Sequence, residues 1–485
     1  MRRVSCLWLV VCVGFVLPSF AHHIKPGATK TMPVTTSSAK ARDLYERAME
    51  DYENLHLERA NIGWRAAAAA DPEFALAHLW IAFNDRNPDE ASAARGKAKA
   101  LAPKVTPGEQ LMIQWITNIQ ENNFIAGIAA MNDMLEMYPK DKRVLYLVGN
   151  WLMVEEEYGP CQKMLERALA IDKNYPAALN DLGYAYARNR EFDQAFATME
   201  RYVTLLPKEP NPQDSYAEIL RMAGKFDAAL DHYRAALKID PVFVSSQLGL
   251  GDTYALMGDE AQARAEYDKA IAAAQTEADR LDYGLQKAMS WARESNFSEA
   301  DKAFTAVAEK AHAGGLHMEE AQAHRMMGMY QGEDASALAH LQAAEDALSH
   351  GENIAQSDRE EERARILRYR ATRAIHAGNQ ELADKTLHQL ETMASSSRSG
   401  VVQTSYHGAA GALLVARQKY ADAIPHLEED RDNPYSMELL SRAYSETGAT
   451  DKMHEVEGAL RGTNVATMEQ ALVVAAARAR RPEYP

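Results

Sequence analysis

The sequence is poor in cysteine, in clustered positive charge and in long apolar runs. Three of its 485 residues are cysteine, and two of them, Cys6 and Cys12, lie in an apolar segment at the N-terminus. Removal of that segment would leave Cys161 as a single thiol, which excludes an internal disulfide and a metal site built from several thiolates. Acidic residues, 69 in number, outnumber the 53 basic ones, which argues against a nucleic acid or an anionic membrane as the main partner.

Residues 1–21 have the features of a cleavable secretory signal. Arg2 and Arg3 precede an apolar run from Val4 to Val16, and Ala21 ends a Ser-Phe-Ala segment that has small residues where cleavage requires them. The run is shorter than the ~20 residues that span a bilayer, which favours cleavage over anchoring. We therefore expect export across the inner membrane, a periplasmic location and a mature chain that is not inserted in the membrane.

Motifs for catalysis and metal binding are absent from the sequence. It contains no glycine-rich phosphate loop, no paired-histidine zinc helix and no nucleophile elbow, so we expect no enzymatic activity and no cofactor. His22 and His23 would begin the mature chain and could bind copper, but no further ligands lie beside them. The spacing of His312, His317 and His324 predicts surface histidines and no metal site.

A period of 34 residues runs without insertion from residue 108 to residue 275. The units start at Gly108, Lys142, Pro176, Pro210 and Val244. Position eight holds Trp115, Gly149, Gly183, Ala217 and Gly251. Position twenty holds Gly127, Cys161, Ala195, Ala229 and Ala263. Prolines stand near the end of three units, at Pro139, Pro207 and Pro241.

This pattern predicts stacked helical hairpins. Small residues at positions eight and twenty let two antiparallel helices approach closely, and Cys161 serves there as a small buried side chain. Large residues such as Leu182 and Met199 fill the space around that contact, and the prolines end the second helix. One hairpin has too little core to fold alone, so neighbouring units must stack.

Two segments resemble the consensus of the tetratricopeptide repeat (TPR) family. They are Leu179-Asn-Asp-Leu-Gly-Tyr-Ala-Tyr-Ala187, and Ala236-Leu-Lys-Ile-Asp-Pro241. The resemblance covers residues 41–465 and is strongest in residues 108–275. It implies an all-α fold, a right-handed α-solenoid in which TPR hairpins form a superhelix.

The chain divides accordingly into four parts. After the signal, residues 22–40 are expected to form a flexible leader, and residues 41–313 a TPR solenoid. Residues 314–485 are expected to form degenerate TPR-like hairpins, with a closing helix from Met468 to Arg481 that caps the solenoid.

In this family the concave face, lined by the first helix of each repeat, is the usual place for a peptide or a partner helix. Positions two, five, nine and twelve point there. The candidate partner-binding residues are Arg143, Tyr146, Asn150, Asn180, Tyr184, Asn211, Asp214, Glu218, Arg221 and Asp252. Asparagine amides can bond the backbone of an extended peptide, and tyrosines supply apolar area with a polar tip.

The predicted function is an exported scaffold, monomeric or weakly associating, that binds a partner protein or peptide on this concave face. Two alternatives stay open. One is a sensory or regulatory subunit that binds a small ligand in the second half, and the other is an envelope metal-handling factor that uses the N-terminal histidines.

Overall fold

Helical hairpins occupy almost the whole chain. A computed structural model describes residues 31–54, 56–85, 87–352 and 354–479, and this part contains 25 α-helices and no strand. Residues 1–21 and the histidines His22 and His23 lie outside the described residues. The predicted all-α solenoid is therefore confirmed.

The first half of the chain, residues 39–273, contains fourteen helices, α1–α14. Their bounds are Ala39–Glu53, Leu57–Ala70, Ala75–Asn84, Pro88–Leu101, Pro107–Gln120, Phe124–Met137, Lys142–Val154, Tyr158–Ile171, Pro176–Arg188, Phe192–Leu205, Pro210–Met222, Phe226–Ile239, Val244–Met257 and Glu260–Ala273.

The second half, residues 277–479, contains α15–α25. Their bounds are Glu277–Arg293, Phe297–Ala313, His317–Tyr330, Asp334–His350, Gln356–His376, Gln380–Ser396, Gly400–Ala416, Tyr420–Glu429, Pro434–Glu446, Thr450–Arg461 and Ala475–Ala479. A π-helical turn, Gln470–Val474, precedes α25. Helix α15 has 17 residues where α13 has 14, and this added turn explains why the sequence period is lost after Gln275.

The hairpin α9–α10 illustrates how the sequence determines the unit. Pro176 occupies the first turn of α9, where its missing N–H leaves no hydrogen bond unmade. Arg190 adopts a φ of 62° in the turn, and α10 begins two residues later. At position eight, Gly183 faces Met199 of α10, so a side chain at Gly183 would overlap the Met199 methyl group. The small residue therefore sets how closely the two helices pack.

The segment that precedes α1 is bonded to three hairpins of the first half. Residues 31–38, which belong to the predicted leader, lie near the N-terminal ends of α3, α5 and α7. The Met32 N–H donates to Asp141 at 2.6 Å, the Thr35 N–H donates to Glu109 at 2.7 Å, and the Thr36 hydroxyl donates to Asp71 at 2.5 Å. Extended backbone has donors that need partners, and here two carboxylates supply them, while a third accepts from the Thr36 side chain.

The solenoid curves until its two halves touch. Asn122, after α5, donates to Glu360 in α19. The Gly400 N–H at the start of α21 donates to Glu155 at 3.1 Å, and Asn464 donates to the Met222 carbonyl at 3.2 Å. These contacts join residues more than 200 positions apart and enclose a space between the halves.

The closing helical segment also differs from a simple cap. Val473 and Val474 pack on Met437 and Leu460 of α23 and α24. Gln470 in the same segment accepts a hydrogen bond from Arg293 of α15, so the segment also contacts the first helix of an earlier hairpin. None of the helices in the described part of the chain is long and apolar enough to cross a membrane.

Candidate partner-binding site

The ten candidate residues lie on the inner wall, and none of them is exposed. Five are buried: Tyr146, Asn180, Asn211, Asp214 and Arg221. The other five are half-buried: Arg143, Asn150, Tyr184, Glu218 and Asp252. The chain itself covers this wall, so the expectation of a freely accessible groove needs correction.

Helix α1 covers the N-terminal part of the wall. Its Glu46 and Glu53 carboxylates accept from the Arg143 guanidinium of α7 at 2.8 and 2.7 Å. The Tyr175 hydroxyl, at the start of α9, donates to the same Glu53 at 2.9 Å. The first hairpin therefore lies where a partner helix was expected.

A hydrogen-bonded chain of polar groups continues from there. The Tyr52 hydroxyl of α1 donates to Asn150 at 3.4 Å, and the Asn150 amide donates to Asp181 at 2.9 Å. Asn180 also donates to Asp181, at 3.1 Å. Burial raises the pKa of Asp181 to about 6, although these two amides oppose the shift. Asn150 and Asn180 thus stabilise a buried carboxyl of the same chain.

The next two repeats continue the same arrangement. The Tyr184 hydroxyl donates to Glu218 at 2.7 Å. Arg221 donates to Glu218 at 2.9 Å and to Asp252 at 3.0 Å, so one buried cation bridges two carboxylates. Tyr267 completes the set by donating to Asp252 at 2.8 Å.

Three candidates remain, and two of them, Asn211 and Asp214, are hydrogen-bonded in the same way, whereas the Tyr146 ring packs edge-to-face on Tyr175 with ring centroids 5.6 Å apart. Asn211 donates to the Tyr202 hydroxyl at 2.8 Å. Asp214 accepts from Ser246 at 2.6 Å, and burial raises the pKa of the Asp214 carboxyl to about 7. Most polar atoms of the candidate residues are therefore bonded within the molecule, whereas Asn180 Oδ1 and Arg221 Nε have no hydrogen-bond partner among the described residues.

A large open space lies between the two halves. This cavity has a volume of about 1370 Å³ and is lined by α6–α8 on one side and by α17, α19, α21 and the 428–434 and 463–469 segments on the other. Two buried ion pairs lie in its wall, Arg325 with Glu362 and Arg368 with Asp430, both at 2.5 Å. Sequence reasoning missed this cavity, because it depends on contacts between distant repeats.

Several charges in the cavity are exposed and unpaired. Arg188, Arg398 and Arg431 line it, and none of the three forms an ion pair with the part of the chain that the structure describes. A run of three glutamates, Glu155–Glu157, follows α7 on the opposite side. Burial raises the pKa of the Glu155 carboxyl to about 7, and the Gly400 N–H opposes this shift only in part. The cavity therefore offers charges of both signs to a partner.

The residues considered for metal or thiol chemistry have other roles. Cys161 is fully buried, and burial raises the pKa of its thiol to about 12. His312 and His317 both contact the Glu320 carboxylate, at 2.9 and 3.1 Å, while His324 lies beside His340. Among the described residues, no group of three or more histidine, cysteine or acidic side chains is placed to hold a metal ion.

Two family models match part of the chain. A model described as TPR repeat matches residues 217–258, and one described as Tetratricopeptide repeat matches residues 244–277. A curated relative is Protein bimA of Emericella nidulans, which is 21% identical over 145 residues. That match covers 30% of this chain and 18% of the length of bimA.

Solved structures show likeness over part of the chain. The MamA protein is 19% identical with a TM-score of 0.28, over 35% of this chain and 92% of that one. A thermophilic TPR protein of Thermus thermophilus is 18% identical with a TM-score of 0.32, over 36% and 96%. A tetratricopeptide repeat protein of Parabacteroides merdae is 14% identical with a TM-score of 0.35, over 56% and 93%. Repeats of this kind form protein–protein interaction scaffolds.

Proposed function

We propose that this chain, a tetratricopeptide-repeat protein, is an exported scaffold that binds a partner protein in the bacterial periplasm. The partner is held in the cavity between the two halves and not on the inner wall of the best-defined repeats. The signal-like residues 1–21 support export, and the matched repeats support the scaffold role.

The observation that carries the proposal is the contrast between the two surfaces. Most polar atoms of the inner wall are bonded to α1 and to neighbouring repeats, so a partner would have to break many of those bonds. The cavity instead presents exposed arginines, among them Arg398 and Arg431, that are free to pair with a partner. An unpaired charge in a concave site gains more from a complementary group than one on an open surface.

Affinity capture from the native envelope fraction tests the proposal. Wild-type protein and the double variant Arg398→Glu, Arg431→Glu are compared with a control, Arg47→Glu, whose side chain is 71% exposed at a distant site in α1. We expect the same partner with wild type and with the control, and a strong loss with the double variant. Equal capture by all three would place the partner elsewhere, and no capture by any would contradict the scaffold role.

A further inference from the structure

An apolar pocket opens at the junction between α5 and α7. Its volume is about 90 Å³. Its lining residues are Tyr52, Trp80, Phe83, Trp115, Ile116, Ile119, Gln120, Leu147, Asn150, Trp151 and Val154. Trp151 also lines the large cavity, so the pocket and the cavity share a wall. Space for one water needs about 10–15 Å³, so this pocket has room for one large side chain.

The repeat pattern is interrupted at the pocket. Position eight holds glycine at 149, 183 and 251, but it holds Trp115 in the repeat that begins at residue 108. Successive first helices pack together from α7 to α13, whereas α5 and α7 meet mainly through Trp115 and Trp151. The centroids of these indole rings are 6.2 Å apart in an edge-to-face arrangement. The two indoles meet where α5 and α7 are not closely packed, and the space beside them forms the pocket.

Three buried polar atoms of the lining residues have no hydrogen-bond partner among the described residues, and one of them is the indole nitrogen of Trp151. The Trp115 side chain is 3% exposed, and its indole N–H has no hydrogen-bond acceptor among the described residues. The Gln120 amide donates to the Ala82 carbonyl at 2.9 Å, but its buried oxygen accepts from no described donor. Buried polar groups nearly always have partners, so these two donors and one acceptor would gain hydrogen bonds from a ligand that displaces the side chains covering them. A peptide backbone offers one acceptor and one donor for each residue.

The mouth of the pocket is apolar and exposed. Phe83 is 46% exposed and Val154 is 65% exposed, and both line the pocket. Ile125, which is 73% exposed, lies on the adjoining wall of the cavity. Exposed large apolar side chains that gather at a concavity mark an interaction site.

Negative charge begins directly beside this mouth. Val154 is followed by the three glutamates Glu155–Glu157, all of which line the cavity. Glu156 and Glu157 are exposed, and neither forms an ion pair with the described part of the chain. Arg188 and Arg365 are the cations that act on Glu156, so the local charge is only partly balanced. A cation on the ligand would balance the remaining negative charge of these glutamates.

We infer that this pocket binds an extended segment of the partner protein in which a large apolar side chain lies next to a lysine or arginine. The apolar side chain fills the space between Trp115 and Trp151, the segment's backbone bonds the Trp115 N–H and the Gln120 oxygen, and its cation meets Glu156 and Glu157. This inference rests on the proposed scaffold function, since it names the chemistry of the same partner.

Selection from a displayed library of random peptides tests the inference without the natural partner. The full mature chain is the bait, and the affinity of a labelled selected peptide is then measured by fluorescence anisotropy. Val154→Asp introduces a charge at the mouth of the pocket. Val242→Asp is the matched control, because Val242 is 72% exposed and lines neither space. Glu157→Lys reverses one of the charges beside the mouth.

We expect the selected peptides to share a large apolar residue beside a basic one. Val154→Asp should weaken binding by about tenfold or more, and Val242→Asp should leave it unchanged. Glu157→Lys should weaken binding by about threefold to tenfold and select peptides without the basic residue. Peptides that bind Val154→Asp as tightly as wild type would overturn the inference, as would a library that yields no shared motif.

A failure of the pocket inference can be distinguished from a failure of the scaffold proposal. Envelope capture that succeeds equally with wild type and Val154→Asp would leave the scaffold standing and refute the pocket's role. A wild-type dimer in sedimentation velocity that becomes a monomer in Val154→Asp would mean that a second copy fills the pocket, which also overturns the inference.

Discussion

The Nε atom of Arg143 in α7 lies 2.7 Å from the Glu53 carboxylate at the end of α1, although 90 residues separate them in the sequence. Glu46, two turns earlier in α1, accepts from the same guanidinium at 2.8 Å. The first helix therefore occupies the inner wall with complementary charge, in the manner expected of a partner.

This contact should contribute measurably to stability. Arg143→Met leaves two half-buried carboxylates without their cation, so we expect the free energy of unfolding to fall by about 1–3 kcal/mol in urea melts. A double-mutant cycle with Glu53→Gln isolates the pair. A coupling energy indistinguishable from zero would mean that α1 is not docked on α7 through these residues.

The glycines at position eight should differ in their tolerance of alanine. A Cβ atom at Gly251 would lie 2.7 Å from Cδ1 of the buried Tyr267 ring, which has no room to move. At Gly183 a Cβ atom would overlap the terminal methyl group of Met199. The Met199 side chain is flexible, so alanine at Gly183 can be accommodated. We expect Gly251→Ala to lower the free energy of unfolding by about 1–3 kcal/mol and Gly183→Ala to be close to neutral, since alanine favours the helix.

A larger residue at the same site checks the assignment of the repeat register. Gly183→Leu should lower the free energy of unfolding by about 1–3 kcal/mol, because Met199 and Ile219 cannot both retreat from an isobutyl group. Neutral behaviour of Gly183→Leu in denaturant melts would contradict the helix packing described for α9 and α10.

Stability should depend on pH through the contact between the halves. Burial raises the pKa of the Glu155 carboxyl from its ordinary 4.5 to about 7, and the neighbouring Glu361 and Glu157 act in the same direction. The folded chain then holds a proton that the unfolded chain releases, so the free energy of unfolding should fall as pH rises from about 4.5 to about 7.

Glu155→Gln removes this titration and keeps an acceptor for the Gly400 N–H. Between about pH 5 and about pH 8 its stability should fall by about 1–2 kcal/mol less than that of the wild type. Glu309→Gln, an exposed site on α16, is the control. Parallel pH profiles for wild type and Glu155→Gln would show that the carboxyl is not buried at this contact.

Cleavage of the predicted secretory signal can be tested separately. Cleavage after Ala21 gives a mature chain that begins at His22, and intact-mass measurement of protein from the native envelope should find that mass. A mass that retains residues 1–21, or that includes a lipid, would refute export through a cleaved signal.

Local features of the fold could be predicted from the sequence, because they depend on neighbouring residues. The units expected to start at Lys142, Pro176, Pro210 and Val244 begin with helices at those residues. Glycine and alanine at position eight face the large residues of the next helix, as at Gly183 and Met199.

The burial of the inner wall by the chain itself could not be predicted. It depends on pairs such as Glu53 and Arg143, whose separation in the sequence is unrelated to the 34-residue repeat. We expected Asn180 and Tyr184 to face a partner, yet Asn180 is buried and Tyr184 is bonded to Glu218. The contact between Glu155 and Gly400 is similarly remote in sequence. Trp115 at a position otherwise held by small residues was the one visible sign of the apolar pocket.

The most direct test of where the partner binds is site-specific photo-cross-linking in the native envelope. A photoreactive phenylalanine analogue replaces Val401 or Glu429 in the cavity, so that Arg398 and Arg431 are kept, or Val242 outside it. The scaffold account predicts one shared cross-linked partner from both cavity positions and none from Val242. A partner that cross-links from Val242 but from neither cavity position would contradict it.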